Sequence, residues 1–359
     1  LLLAQTRATA TPAQTKAAIV QFRNQDVRND FLNYMYRRPI NRQLALNLSE
    51  GTAKSSWGIN LGYDANIGEL AATYQRAIAK LNHQLKIGQR LHIRTSMSYT
   101  KSDTKSGRPG YGDVKMNNGA LIPYLRFADE EGNAIAMANG HSLSYINGLT
   151  NANLLHWKYY PLTDYLNSKG SSNQTDLLAN INLSYGLFKG LKAEVLYQYQ
   201  QQQTYNKNIA DEQSYAARNL INTYAQFNAA TGVTTFIIPK GGILDQTESK
   251  LTATNLRGQL NYNLNTNLHS LTILMGAERQ EGLTNTFGNR TYGYNDERLN
   301  FSPVDYTRTY PTYITGASSF IPNSTNDFGS MNRRFISFFG NAAYTYREKY
   351  ILNVSARKD

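Results

Sequence analysis

Arg90–Thr100, RLHIRTSMSYT, alternates without a break: Leu91, Ile93, Thr95, Met97 and Tyr99 share one face, and Arg90, His92, Arg94, Ser96, Ser98 and Thr100 share the other. A period of two sends successive side chains to opposite sides of a pleated strand, so the stretch predicts a strand with one uncharged and one hydrophilic face. Upstream, Leu81, Leu85 and Ile87, interrupted by His83, lead into it through a turn at Gly88 and Gln89. The pattern then recurs in pairs. Leu44, Leu46 and Leu48 turn through Glu50, Gly51 and Thr52 into Trp57, Ile59, Leu61 and Tyr63. Leu177 to Leu187 turns at Lys189 and Gly190 into Leu191, Ala193, Val195, Tyr197 and Tyr199, with Leu196 as the one apolar residue on the polar face. Leu260, Tyr262 and Leu264 turn near Asn265–Asn267 into Leu271, Ile273, Met275 and Ala277. Ile336 to Tyr346 turns at Arg347–Lys349 into Tyr350, Leu352, Val354 and Ala356.

About ten strands result, many longer than the roughly five or six residues usual in soluble sheets. Alternating strands also build soluble β-sandwiches, and two features decide against that. The five shortest connections all occupy alternate positions, so they gather at one end of an up-and-down sheet. The uncharged stripes also contain no Lys, Arg, Asp or Glu. A basic residue facing lipid at mid-bilayer costs about 2 to 4 kcal/mol, which explains a stripe kept free of charge. The expected class is therefore all-β: an antiparallel, up-and-down transmembrane β-barrel wall with short periplasmic turns and long extracellular loops. Residues 1–40 form a lead-in and residues 41–359 the wall, with long loops at 101–173, 206–249 and 281–334.

Composition agrees. The chain has 359 residues and a mean hydropathy of -0.52, and no apolar run approaches the roughly 20 residues of a spanning helix. There is no cysteine, which removes disulfides and thiolate chemistry. Leu1–Leu3 is too short for a signal-peptide core, so the chain reads as cut from a longer precursor. The net charge of +12 would ordinarily suggest nucleic acid or an anionic membrane surface. The three long loops nevertheless hold equal numbers of basic and acidic residues. The excess lies in the lead-in and the strand regions, pointing into the lumen or to the rims, and no nucleic-acid partner is expected. In the lead-in, Val27, Phe31, Tyr34 and Met35 fall at helical spacing before Pro39.

Candidate chemistry is sparse. His83, His92, His141, His156 and His269 have no partner at metal-ligand spacing, and no catalytic or nucleotide motif appears, so neither an enzyme nor a cofactor is expected. Asp129, Glu130 and Glu131, like Asp296 and Glu297, read as solvated loop charges. The loop aromatics Trp157, Tyr159, Tyr160, Tyr292, Tyr294, Tyr306, Tyr310 and Tyr313 are candidates for contact with a solute or a lid, or for packing loop on loop. Arg90, Arg94, Lys192, Gln198, Gln200 and Gln202 are candidates for contact with a plug or a solute in the lumen.

Three stretches resemble the SusC/RagA family of TonB-dependent outer-membrane transporters of Bacteroidota. They are RRPINRQLALNLSEGTAKSSWGINLGY (Arg37–Tyr63), HSLTILMGAERQ (His269–Gln280) and FFGNAAYTYREKYILNVSARKD (Phe338–Asp359). The resemblance implies part of a 22-stranded barrel whose plug and TonB-contacting part lie outside this chain, with residues 1–40 as the end of the plug and its link to the wall. It also implies a SusD-like surface lipoprotein as lid, outer-membrane lipid around the wall, and oligosaccharides or peptides as cargo. A passive porin, an adhesin and a soluble carbohydrate-binding β protein remain the alternatives.

Overall fold

The computed structural model describes residues 11–23, 25–116, 119, 122–323 and 327–359; the first ten residues of the lead-in, Asn24, and a few positions in two long loops lie outside the described residues. The strands in chain order are β1 (Ile40–Gly51), β2 (Ser55–Ile67), β3 (Thr73–Ile87), β4 (Leu91–Lys105), β5 (Ser168–Phe188), β6 (Leu191–Ala210), β7 (Ala225–Asn228), β8 (Val233–Phe236), β9 (Gly242–Asn265), β10 (His269–Tyr294), β11 (Thr309–Pro311), β12 (Ser318–Phe320), β13 (Asp327–Tyr346) and β14 (Tyr350–Lys358). Ten of them form one sheet in the order β1-β2-β3-β4-β5-β6-β9-β10-β13-β14, every neighbouring pair antiparallel. The hairpins β7–β8 and β11–β12 sit apart from it, within loops. Removing them leaves an up-and-down meander in strict chain order.

The quoted stretch shows why the sheet forms. Ile93 lies opposite Leu85 on β3 and Leu183 on β5, and Met97 opposite Leu81 and Ala179. Each apolar residue thus meets apolar neighbours across both ladders, which is the unit of sheet stabilisation and also fixes the register. Among the described residues nothing covers the joint face. Leu44, Met97, Val195, Met275 and Phe338 are 70, 49, 43, 51 and 60% exposed. A sandwich would bury this face against a second sheet, so the uncovered stripe favours hydrocarbon as its neighbour. His83, the polar interruption, lies opposite Trp57 and Thr95, and its Nε2 is 3.1 Å from the Ser55 hydroxyl near the short-turn rim.

The upper border of the stripe gives the strand tilt. It ends at Tyr99 on β4, before Lys101, and at Ala277 on β10, before Arg279. Following the register straight across from Tyr99 leads through Leu177, Gln201 and Thr252 to Leu283, six residues above Ala277. Six residues are about 20 Å along a strand and four strand spacings about 19 Å, so a level border requires the strands to lean by about 45°. That is the inclination of transmembrane barrel strands.

One expectation changes. The strands climb further than the hydropathy pattern shows, and the long connections shrink to 106–167, 211–241 and 295–326. Above the stripe the outward face turns polar, through Thr175, Asn173 and Ser171 on β5, yet these residues stay paired with Lys101, Asp103 and Lys105. A hydrogen-bonded ladder needs only backbone, so it outlasts the alternation that reveals it in sequence.

The position of the lead-in follows from the strand it feeds. It enters the sheet through β1, which runs toward the short turn at Thr52, so the lead-in sits at the long-loop end. Its helix Val27–Asp30 and the π-helical turn Phe31–Met35 bury Val27, Phe31 and Met35 against Val114, Phe127 and Met137 of the first long loop. Val27 N–H donates to the Pro123 carbonyl at 2.9 Å, and Phe127 N–H to the Asp30 carboxylate at 2.5 Å. An apolar segment at that height can be buried only by the loops, and it becomes part of their core.

Candidate functional site

Side chains with the chemistry to hold a solute occur on the polar face of the wall and in the layer of loops above it. On the polar face, neighbouring strands bind one another through amides and carboxylates. Asn180 Nδ2 donates to Ser96 Oγ (3.1 Å), Gln200 Nε2 to Asp176 (3.2 Å), Gln259 Nε2 to Glu194 (3.0 Å) and Asn255 Nδ2 to Glu278 (2.8 Å). Arg94 lies between Gln84 and Asn182, Lys192 between Gly186 and Asn261, and Gln198 between Asn180 and Asn255. Gln202 lies between Asp176 and Leu251. These residues share one face, as the alternation implies. Arg90 stands apart in the turn below β4, where its carbonyl accepts the Gly186 N–H at 2.9 Å. Leu196, the apolar exception, lines a recess of about 210 Å³ with Asn182, Glu194, Arg257 and Gln259. Beside it the Arg257 guanidinium lies 4.6 Å from the Phe339 ring. Arg257, Glu194 and the surrounding amides offer hydrogen bonds and charges of both signs, which suits contact with polar matter rather than bond-breaking chemistry.

Among the described residues most of the buried apolar core lies at the loop end, in two clusters. One is the lead-in cluster above; the other joins Ala217, Ile221 and Tyr224 to Ile238, Ile243, Tyr292 and Ile321. A buried polar clamp ties the loops together beside them. The Arg218 guanidinium lies 3.7 Å from the Asp164 carboxylate, with the two side chains 10 and 14% exposed. It also donates to the carbonyls of Gln213, His156 and Lys158. Asp164 accepts the Tyr215 N–H at 2.5 Å. Burial holds the Asp164 carboxyl above its ordinary range and lowers Arg218, the opposed charges only partly compensating. Burial also lowers His141, while His156 is lowered by burial and by the adjacent Arg218 and Lys158 charges. Asn222, fully buried, accepts from Leu155 N–H and donates to the Leu155 carbonyl. Arg218, Asp164 and Asn222 carry no sequence signal, because all their partners but the Gln213 carbonyl stand fifty or more residues away and on no common period.

The aromatic candidates divide. Trp157 is 3% and Tyr292 1% exposed, so neither can present a ring to a solute. Trp157 donates from Nε1 to Asn219 at 2.8 Å and packs edge-on against His141 and Tyr313; Tyr292 donates to the Pro322 carbonyl at 2.5 Å. Both hold loop to loop. Tyr159 tilts against Tyr215, and burial pushes both phenols up to about 12. Tyr306 donates to the Arg290 carbonyl, Tyr310 packs on the cluster around Tyr292, and Tyr160 stacks on His156. Tyr294 bonds Asp296 at 3.0 Å and lies outside the lumen, since a bulge after Tyr292 turns it to the outward face. Of the acidic candidates, Asp129 closes a turn on Asn133 and Asp296 pairs with Lys207. Among the described residues no three His, Asp or Glu side chains gather as a metal site would require.

Known structures share this fold. The RagAB peptide transporter aligns with a TM-score of 0.64 at 16% identity, covering 93% of this chain and 33% of that one. The RagAB peptide importer in its closed-closed state gives 0.63 at 15% over 93% and 33%, and its open-open state 0.64 at 15% over 91% and 32%. The chain therefore spans about a third of the length of the proteins it matches, and at such identities the likeness shows the fold. No family model and no curated protein matches the sequence. The fold is that of a stretch of outer-membrane β-barrel wall with its long loops.

Proposed function

We propose that this wall belongs to a TonB-dependent importer of the SusC/RagA kind, which carries oligosaccharides or peptides across the outer membrane under a SusD-like surface lipoprotein. The observation that carries the reading is the pairing of an uncovered, uncharged outward stripe with a polar inward face across ten strands, in an arrangement that superposes on the RagAB peptide importer. Hydrocarbon accepts the first face, and only a filled, hydrophilic interior suits the second. In this mechanism Arg94, Lys192 and the Gln198–Gln200–Gln202 row hold a plug by hydrogen bonds and charge. The half-buried Tyr160, Tyr306, Tyr310 and Tyr313, set among the loops, are proposed for the solute or the lid. Force on the plug from the periplasm opens the path, and the wall performs no covalent chemistry.

Fractionation and uptake test this. The protein is expected to sediment with the outer membrane, to resist extraction without detergent and to co-purify with a surface lipoprotein. Uptake of labelled oligosaccharide or peptide is expected to stop when TonB is removed. Uptake that persists without TonB would make it a passive porin, and recovery in the aqueous fraction would end the barrel reading.

A further inference from the structure

Three lysines meet above the stripe on the outward side of the wall. Lys105 on β4 lies opposite Ser171 on β5, and Ser171 opposite Lys207 on β6; Lys169 stands two residues above Ser171, opposite Ile209. All three lysines keep the parity of Tyr99, Leu177 and Tyr199, the residues that end the uncharged stripe on the same strands, so they face away from the lumen. Together with Arg108, Tyr165, Leu166 and Ile209 they line a cavity of about 500 Å³ with no carboxylate in its walls among the described residues. Its back is the segment at Gly107, anchored where Arg108 N–H donates to the Leu70 carbonyl at 2.6 Å.

Charge is unbalanced here. Among the described residues Lys105 makes no ion pair; Asp296 pairs with Lys207 at 3.4 Å and also feels the Lys169 charge, so one carboxylate serves two of the three lysines, and Lys207 lies 5.7 Å from the Tyr294 ring. Asp103, two residues below Lys105, faces Asn173. Adjacent strands are about 4.8 Å apart, so Lys105 and Lys207 issue from backbone about 10 Å apart with Lys169 diagonally above. Mutual repulsion in a walled recess disfavours this arrangement, and a multivalent anion would relieve it.

We infer that this cavity binds a phosphorylated saccharide, and specifically the headgroup of a glycolipid in the surrounding leaflet; the inference rests on the outer-membrane reading above. Height selects the ligand. Lys105 stands six residues beyond Tyr99, which at a lean of about 45° is about 14 Å above the hydrocarbon. The headgroup zone of ordinary lipids is only about 5 to 8 Å deep, so a simple phospholipid phosphate falls short. A phosphate carried on a saccharide several units tall reaches, with its acyl chains along the stripe below. Tyr165 and Leu166 then offer apolar surface to the sugar faces.

The test uses the protein extracted from the outer membrane in detergent, first shown to sediment with that membrane. Failure there defeats the importer reading itself and this site with it. Wild type and the variant K105Q/K169Q/K207Q are titrated with lipopolysaccharide bearing core phosphates, with the same lipopolysaccharide enzymatically dephosphorylated, and with inorganic phosphate. Each surface lysine is worth roughly fivefold in affinity for an anionic leaflet, so the triple variant is expected to bind the phosphorylated form about a hundredfold more weakly. Dephosphorylation is expected to weaken wild type to the level of the variant, and millimolar inorganic phosphate to leave binding unchanged. The lysines lie outside both loop clusters, and unchanged heat-modifiable migration shows that the variant keeps its fold. Equal binding by variant and wild type overturns the proposal, as does equal binding of dephosphorylated lipid. Saturation by inorganic phosphate alone overturns the assignment to a lipid.

Discussion

At the residue scale, the face a side chain occupies decides its cost. Val195 is outward and 43% exposed, flanked by Leu183 and Gly258; Gln198, three positions on, faces the lumen between Asn180 and Asn255. Val195→Lys is expected to destabilise the membrane-inserted protein by about 2 to 4 kcal/mol, and Gln198→Lys by less than about 1 kcal/mol. Unfolding in lipid bilayers by guanidinium compares them, and equal costs would contradict the assignment of faces. Gly276 makes a second case. A Cβ there would lie 2.5 Å from the Phe339 ring and 2.6 Å from the Gly258 carbonyl. The ring could swing away but the backbone carbonyl cannot, so Gly276→Ala is expected to cost about 1 to 3 kcal/mol by overpacking. The same titration reads it. The face of Val195 was legible from alternation; the need for glycine at 276 was not, because it depends on the Gly258 carbonyl of the neighbouring strand.

At the scale of elements, the loops are a folded layer with a core of its own. Arg218→Ala leaves Asp164 buried without its cation and three carbonyls without their donor, and breaking such a pair costs roughly 3 kcal/mol or more. The expected result is rapid proteolysis within 143–167 while the ten strands stay protected; protease resistance equal to wild type would refute the clamp. Alkali probes the same layer. Tyr159 and Tyr215 are pushed up to about 12 from an ordinary 10, so the folded layer keeps protons that an unfolded one releases. Their stabilisation is whole below pH 10 and is lost as the pH rises toward 12. Tyrosinate absorbance is expected to rise late for these two phenols and together with loss of loop structure. Sequence reading assigned the loops and their aromatics but not the division of labour among them. In sequence Trp157 and Tyr292 look no different from half-buried rings such as Tyr160, and only contacts across loops bury them.

At the scale of the whole molecule, β1 and β14 are the two edges of the described sheet, and each presents an unpaired row of backbone groups. Residues 11–359 taken alone are therefore expected to self-associate in detergent, edge to edge, and size-exclusion chromatography would show oligomers. A stable monomer would mean that the edges close on each other. The charge distribution also belongs to this scale. Neutral loops and a basic remainder were countable in the sequence, but the gathering of Lys105, Lys169 and Lys207 outside the wall depends on a register that joins residues up to about a hundred positions apart.

The sequence by itself determined the strands, their order, the face each residue takes and the end at which the loops gather. All of these follow from a local period of two and from connection length. Tertiary structure alone decided how far the ladders climb above the stripe, that the lead-in joins the loop core, which aromatics are buried and where cations converge. Those outcomes depend on backbone pairing and on contacts between distant segments, and neither leaves a periodic trace in the order of residues.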